Sequence, residues 1–179
     1  MDYLAVLKFW FEECTPKQWF DKDPAFDALI NERFGHIHRA AAAGELSRWR
    51  GHAKGRLAEV IVLDQFSRNI YRDKPQAFAY DGMALILAQE ALRRGIAVEL
   101  ERVERQFLYM PFMHSESAAI HEHALLIFDE VGMESTLEYE KRHKAIIDRF
   151  GRYPHRNAIV GRESTAEELA FLQEPGSSF

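Results

Sequence analysis

Asp23-Pro24-Ala25-Phe26-Asp27-Ala28-Leu29-Ile30-Asn31-Glu32-Arg33-Phe34-Gly35-His36-Ile37 decides the fold class. Asp23 offers a side-chain acceptor where a helix begins, and Pro24 suits the first helical position, which needs no N–H. Phe26, Leu29, Ile30, Phe34 and Ile37 then recur at three- and four-residue steps, the rhythm of one buried helix face. The pattern predicts a helix running to about residue 43, with Gly44 closing it.

The same rhythm extends in both directions. Upstream, Leu4, Leu7 and Phe11 share a face over residues 3–13, and Thr15-Pro16 ends that helix. Trp19 and Phe20 follow in a short turn, as lids on the core. Downstream, Leu57, Val60, Ile61 and Leu63 predict a helix over 50–66. Asp73-Lys74-Pro75 opens the next, which runs to Arg94 with Phe78, Leu85, Ile86, Leu87 and Leu92 as its buried face. A helix over 99–112 contains Pro111 and is expected to kink there. Ser115 or Ser117 caps another that ends near residue 131, and a further helix covers 135–150. Ser164-Thr165-Ala166-Glu167 matches a capping box for a short last helix. Residues 175–179 read as a frayed tail. No segment alternates as a strand does. The expected architecture is all-α: a single domain over 1–179, with about seven to eight helices as antiparallel pairs joined by short loops. No repeat appears at the spacing of about 34 residues typical of tetratricopeptide arrays.

Composition narrows the function. The chain has 179 residues, 47% hydrophobic and 12% aromatic, enough to fill a core. No window approaches the roughly 18 continuous apolar residues of a membrane span, and the start lacks the basic region of a secretory signal. One cysteine, Cys14, follows two glutamates; it makes neither an internal disulfide nor a thiolate metal site, and its neighbours raise rather than lower its pKa. A cytoplasmic protein is expected, without membrane partner, metal or cofactor. The net charge of −5 is uneven: residues 141–162 carry seven basic side chains against Asp148 alone. A local basic region on an acidic chain suits a small anion better than a nucleic acid.

Three segments gather polar groups. Asp64-Gln65-Phe66-Ser67-Arg68-Asn69 sets Asp64 and Arg68 four apart, on one helix face; a plain helix-end ion pair explains it as well as a site does. Met113-His114-Ser115-Glu116 follows Pro111. His114 titrates near neutrality and Glu116 can orient it, which is the pattern of acid–base work; a helix junction with Ser115 as cap is the alternative. Arg149-Phe150-Gly151-Arg152-Tyr153-Pro154-His155-Arg156-Asn157, with Arg162 beyond, concentrates guanidiniums suited to carboxylate or phosphate. Against this stands internal pairing of those arginines with helix ends, Asp64 or Glu116. His121 and His123 point to different faces and make a poor metal pair, and His143 reads as solvated. None of the common nucleotide, serine-hydrolase or zinc-protease motifs is present.

These blocks, with Val6-Leu7-Lys8-Phe9-Trp10-Phe11, Leu63 to Arg72, Phe107 to Glu116 and Gly161 to Thr165, resemble a bacterial domain-of-unknown-function family, number 924, over nearly the whole chain. Ser67 departs from the proline that family is expected to favour. The resemblance implies an all-α fold similar to the tetratricopeptide-repeat superfamily, and no activity. The leading expectation is a polar site lined by Asp64, Arg68, Asn69, Arg149, Arg152, His155, Arg156, Asn157 and Arg162, holding a small anionic metabolite or a peptide end. The alternatives are a hydrolase with His114 and Glu116 as catalytic groups, with or without a metal on Asp64, Glu116 and His114, and a scaffold that docks partners through exposed Trp10, Trp19 or Trp49.

Overall fold

A computed structural model describes residues 2–179. Among the described residues the regular structure is helical and no strand forms, as periodicity required. No described helix is long and apolar enough to cross a membrane. The chain's contacts group it into two compact units, Met1–Arg72 with Gln76–Pro111, and Asp73–Pro75 with Phe112–Phe179.

In the first unit, α1 (Tyr3–Lys8) is capped by Asp2, whose carboxylate accepts from Leu4 N–H. It runs directly into a wide π turn, Phe9–Glu13, that buries both Phe9 and Trp10. α2 (Pro24–Ala42) opens as its sequence demands, with Asp23 Oδ1 accepting from Ala25 N–H and Phe26 N–H. The helix expected over 50–66 is not continuous. A 3-10 turn, Ser47–Gly51, precedes α3 (Ala53–Ile61), which passes through a second π turn, Val62–Phe66, into α4 (Ser67–Ile70). Gly55 explains the break: a Cβ there would stand 2.1 Å from the Trp49 carbonyl oxygen, so the Trp49 turn lies directly on the helix.

Proline does not open the next helix at Pro75. Asp73 takes a left-handed backbone, with φ at 60°, and Pro75–Ala77 form a separate 3-10 turn before α5 (Asp81–Arg93). Its buried stripe is Ala84, Ala88 and Ala91 rather than the expected large residues, and Ile86 is 64% exposed. Small side chains let α5 lie close on α3. α6 (Arg102–Met113) continues past Pro111.

The second unit contains α7 (Ala118–Phe128) and α8 (Glu134–Phe150), which pack on each other. Gly151, at φ 68°, ends α8 in the left-handed conformation that a side chain resists. A 3-10 turn (Pro154–Arg156), α9 (Asn157–Val160) and α10 (Ala166–Phe171) follow. The capping box of α10 is one residue later than the sequence match: Thr165, in an extended cap conformation, and Glu168 form it. Ile146, Ile147, Tyr153 and Phe171 make a compact apolar cluster, with Phe150 against it. The tail read as frayed has contacts of its own. Ser177 is buried and its hydroxyl donates to Leu172 O at 3.2 Å, and Phe179 stacks on His143.

Candidate functional site

The first of the three polar segments lies in the first unit. The π turn and α4 direct Asp64 inward, fully buried. Arg68 reaches Asp64 Oδ1 at 3.2 Å and donates a two-pronged pair to Asp81, 2.8 and 2.9 Å. Asn69 Nδ2 donates to Asp27 Oδ1, which Arg72 also holds. Gln65 Nε2 donates to Asp64 Oδ2 at 2.6 Å. Each guanidinium is thus met by carboxylates from α2, the π turn or α5, a closed network of the kind that fixes helices. Beside it, Ser67 hydroxyl donates to Leu63 O and lies 2.8 Å from His38 Nε2, a contact no proline could make.

The second and third segments belong to the second unit, which joins them through hydrogen bonds. Glu116 is the hub. Arg162 grips it with Nη1 to Oε2 at 2.7 Å and Nη2 to Oε1 at 2.9 Å, and Tyr153 N–H donates to Oε1 at 2.8 Å. Burial pushes the Glu116 carboxyl up, but these bonds and the charges of Arg156 and Arg162 outweigh it and hold the group below its usual range. Arg156, itself buried, donates to His114 O at 2.9 Å and lies 4.7 Å over the Tyr153 ring. Asn157 is fully buried; its Nδ2 donates to Ser164 Oγ, and its carbonyl accepts from Arg162 N–H at 2.8 Å.

The remaining arginines serve the end of the chain. Arg152 forms a two-pronged pair with buried Glu168, at 2.6 and 2.8 Å, and also donates to Glu163 O. That pair, followed by the cap N–H of Thr165, holds the Glu168 carboxyl at about 2. Arg149 pairs with Glu167 at the surface and lies over Phe150 and Phe171. The anticipated internal pairing of arginines therefore does occur, but its acids include Glu167 and Glu168 of α10, which sequence reading passed over.

Two buried groups were missed. His121 and Glu140 are both fully buried, with Nδ1 and Oε1 2.6 Å apart. Burial pushes the Glu140 carboxyl up in spite of His121 and Lys144. His121 Nε2 faces Ser115 O at 2.8 Å and the Tyr153 hydroxyl at 3.2 Å, and that hydroxyl donates to Met113 O. His143 is buried instead of solvated. Its Nδ1 contacts Tyr139 O at 2.7 Å; burial lowers its pKa to about 3 against the upward pull of that carbonyl, with His114, His121 and His155 nearby adding to the fall. The signal lay in spacing: Thr136, Glu140, His143 and Ile147 fall at steps of four, three and four, one buried stripe of α8.

Tyr153 is the common element. Its backbone holds Glu116, its hydroxyl reaches Met113 O and His121, and its ring supports Arg156. His143 and His155 are both at 5.7 Å from that ring. His114 and His155 remain only half-buried. Among the described residues no group of three or more His, Cys, Asp or Glu is placed to hold a metal ion.

Comparison with known proteins agrees with this architecture. The model of a family described as bacterial protein of unknown function, DUF924, matches residues 6–176. A solved protein of unknown function from Agrobacterium tumefaciens superposes with a TM-score of 0.91 at 39% identity, covering 96% of each chain. No curated protein matches.

Proposed function

We propose a ligand-binding role for this chain, which belongs to the DUF924 family of bacterial proteins of unknown function: its second unit takes a small carboxylate- or phosphate-bearing ligand, or a peptide end, beside His114, His155, Arg156, Asn157 and Arg162. The observation that supports it is the Arg162 Nε–H. This donor is buried without an acceptor, although both Nη atoms of the same guanidinium are fixed on Glu116. Asn157 Oδ1, on the residue whose carbonyl accepts from the Arg162 N–H, is likewise buried and unmatched. Leaving a buried cationic donor unmatched is costly, and an anionic oxygen that also reaches the half-buried histidines removes the cost. Glu116 keeps the guanidinium rigid beforehand, which lowers the ordering entropy a ligand must overcome. Such a binder fits a cytoplasmic location.

The enzyme alternative gains less. Glu116, cast as the partner of His114, is engaged by Arg162 and Tyr153, so it positions the loop instead of tuning an imidazole. The scaffold reading loses its marker, since Trp10 and Trp49 are buried and Trp19 is only half-exposed.

Inorganic phosphate and acetate, titrated separately while histidine ring signals are followed by NMR, test the proposal. Saturable shifts at His114 and His155 are expected, weakened at least tenfold in His155→Ala with little change in melting temperature. Shifts that stay linear to 50-fold excess over the protein for both anions would refute it.

A further inference from the structure

The Phe179 ring lies nearly flat on His143, with centroids 3.7 Å apart and an interplanar angle of 23°. Tyr153 and His155 stand edge-on to it, at 6.5 and 6.0 Å. Three side chains from two separate elements, α8 and the turn after it, therefore surround one ring on its face and edges, the arrangement aromatic groups favour. The segment that delivers the ring is short and lightly held: Ser177 hydroxyl on Leu172 O anchors it, while Phe179 itself stays 45% exposed. The family match ends at residue 176, before the ring begins.

The floor beneath the ring is built into the fold and does not depend on the tail. His143 belongs to the buried stripe of α8, and its Nδ1 is fixed by Tyr139 O. Nδ1–H donation to that carbonyl leaves Nε2 as the acceptor. Burial keeps the imidazole neutral at pH 7, so the floor is an uncharged aromatic plane. Tyr153 is fixed by its hydroxyl on Met113 O and by its N–H on Glu116. A neutral, rigid plane with two aromatic edges recognises another ring and has little to offer a flexible aliphatic chain.

We propose that His143, Tyr153 and His155 form a slot for an aromatic side chain carried on a peptide, and that the chain's own Phe179 fills it as a tethered competitor. A peptide is the class that fits, because the occupant is itself a peptide segment, anchored by Ser177 on Leu172 O two residues before the ring. The slot deepens the proposed ligand site, since His155 belongs to both; it names the ring that would accompany the anionic or chain-end group. Tethering raises the local concentration of the Phe179 ring to the order of 1 mM. A free peptide that binds with a dissociation constant near ~0.1 mM would then look about tenfold weaker against the intact tail than without it.

The test uses the full chain and its Phe179→Ala variant, with the amidated tripeptide Ser-Ser-Phe as probe and Ser-Ser-Ala as control. The readout is the NMR shift of the His143 ring protons, which a stacked aromatic ring moves strongly. Phe179→Ala should lose that shift while keeping its melting temperature. Ser-Ser-Phe should restore the shift saturably, with an apparent affinity about tenfold better in Phe179→Ala than in the unmodified chain, and Ser-Ser-Ala should not restore it. Equal response to the two tripeptides, no restoration at millimolar probe, or equal affinity for both proteins overturns the proposal. Phosphate titration of the same two proteins separates the two readings. Phosphate shifts without tripeptide recovery leave an anion site with no ring slot, and tripeptide recovery without phosphate shifts leaves the slot alone.

Discussion

The two units are held by different physics. In the first, the polar network of Asp64, Arg68, Arg72, Asp27 and Asp81 accompanies a core of interlocking rings. Phe66 is fully buried and meets Phe34 at 5.3 Å, Trp10 at 5.6 Å and Phe9 at 6.2 Å. In the second, the cluster of Ile146, Ile147, Tyr153 and Phe171 with Phe150 beside it is joined by buried Phe112, Phe128 and Met133, and directional bonds tie the loops to it: Glu116 on Arg162, Glu168 on Arg152, His121 on Glu140, Tyr153 on Met113 O. A ring core is insensitive to pH and tolerant of small shifts. A network of charged hydrogen bonds is neither, and in the second unit the Arg162 Nε–H and Asn157 Oδ1 stay unmatched within it. The contrast teaches where to look for function, and it can be broken by experiment.

The largest effect belongs to the ring core. Phe66→Ala removes a side chain whose neighbours are rings that cannot collapse into the space, so it should cost about 3–5 kcal/mol in urea unfolding. A loss under about 1 kcal/mol would mean that the first unit does not rest on this cluster.

A smaller effect distinguishes two arginines that the sequence presents alike. Arg152 meets a carboxylate that is 2% exposed, and its removal takes away the one cation paired with Glu168 and leaves neutral donors, the Thr165 N–H and the Asn157 side chain. Arg152→Ala should therefore cost about 2 kcal/mol, between surface and fully buried pairs. Arg149 and Glu167 are 46% and 62% exposed in their side chains, so Arg149→Ala should stay within about 0.5 kcal/mol. Equal losses would show that the second unit does not depend on buried pairing. Acid sharpens the point. The Glu168 pKa is depressed on folding, so its contribution is present above the ordinary carboxylate range and is lost as pH falls toward about 2.

Legibility in the sequence followed the same division. Asp23-Pro24 and the Phe26 to Ile37 stripe gave a helix that starts where expected, because caps and periodicity are local. Gly151 stopped α8 for the same reason. What could not be read depended on residues far apart. The break before α3 is set by Trp49 lying on Gly55, a contact that no local rule contains. The alanine stripe of α5 looked like the weaker face because burial there is decided by how close α3 comes. In the site, Glu116 with the arginine-rich loop was legible as a polar concentration, but its pairing was not. Arg152 found Glu168, and Arg162 took Glu116, through turns at Gly151 and Gly161 that reverse the chain. His143 was misread for a different reason: charged neighbours Lys141, Arg142 and Lys144 masked a stripe that its own spacing disclosed.

That histidine gives the finest test of the contrast. Its pKa in the folded chain is about 3, against about 6.5 in an unfolded one. The unfolded state therefore binds the proton first as pH falls. The stability His143 contributes is whole above about pH 6.5 and drains between there and about pH 3, by at most ~1.4 kcal/mol for each pH unit. Its ring is faced by His114, His121 and His155, and protonation of any of them adds repulsion in the same direction. His38 in the first unit, at about 4 through burial and then Arg39, adds a slope of the same sign. The two histidines separate by substitution. His143→Phe keeps a flat ring under Phe179 and removes the proton, so the slope of stability between pH 6 and 4.5 should flatten by up to about one proton, while His38→Phe removes its own share independently. An unchanged slope in His143→Phe would show that this imidazole titrates alike in both states, and the second unit would then owe its pH response to carboxylates such as Glu140 and Glu168.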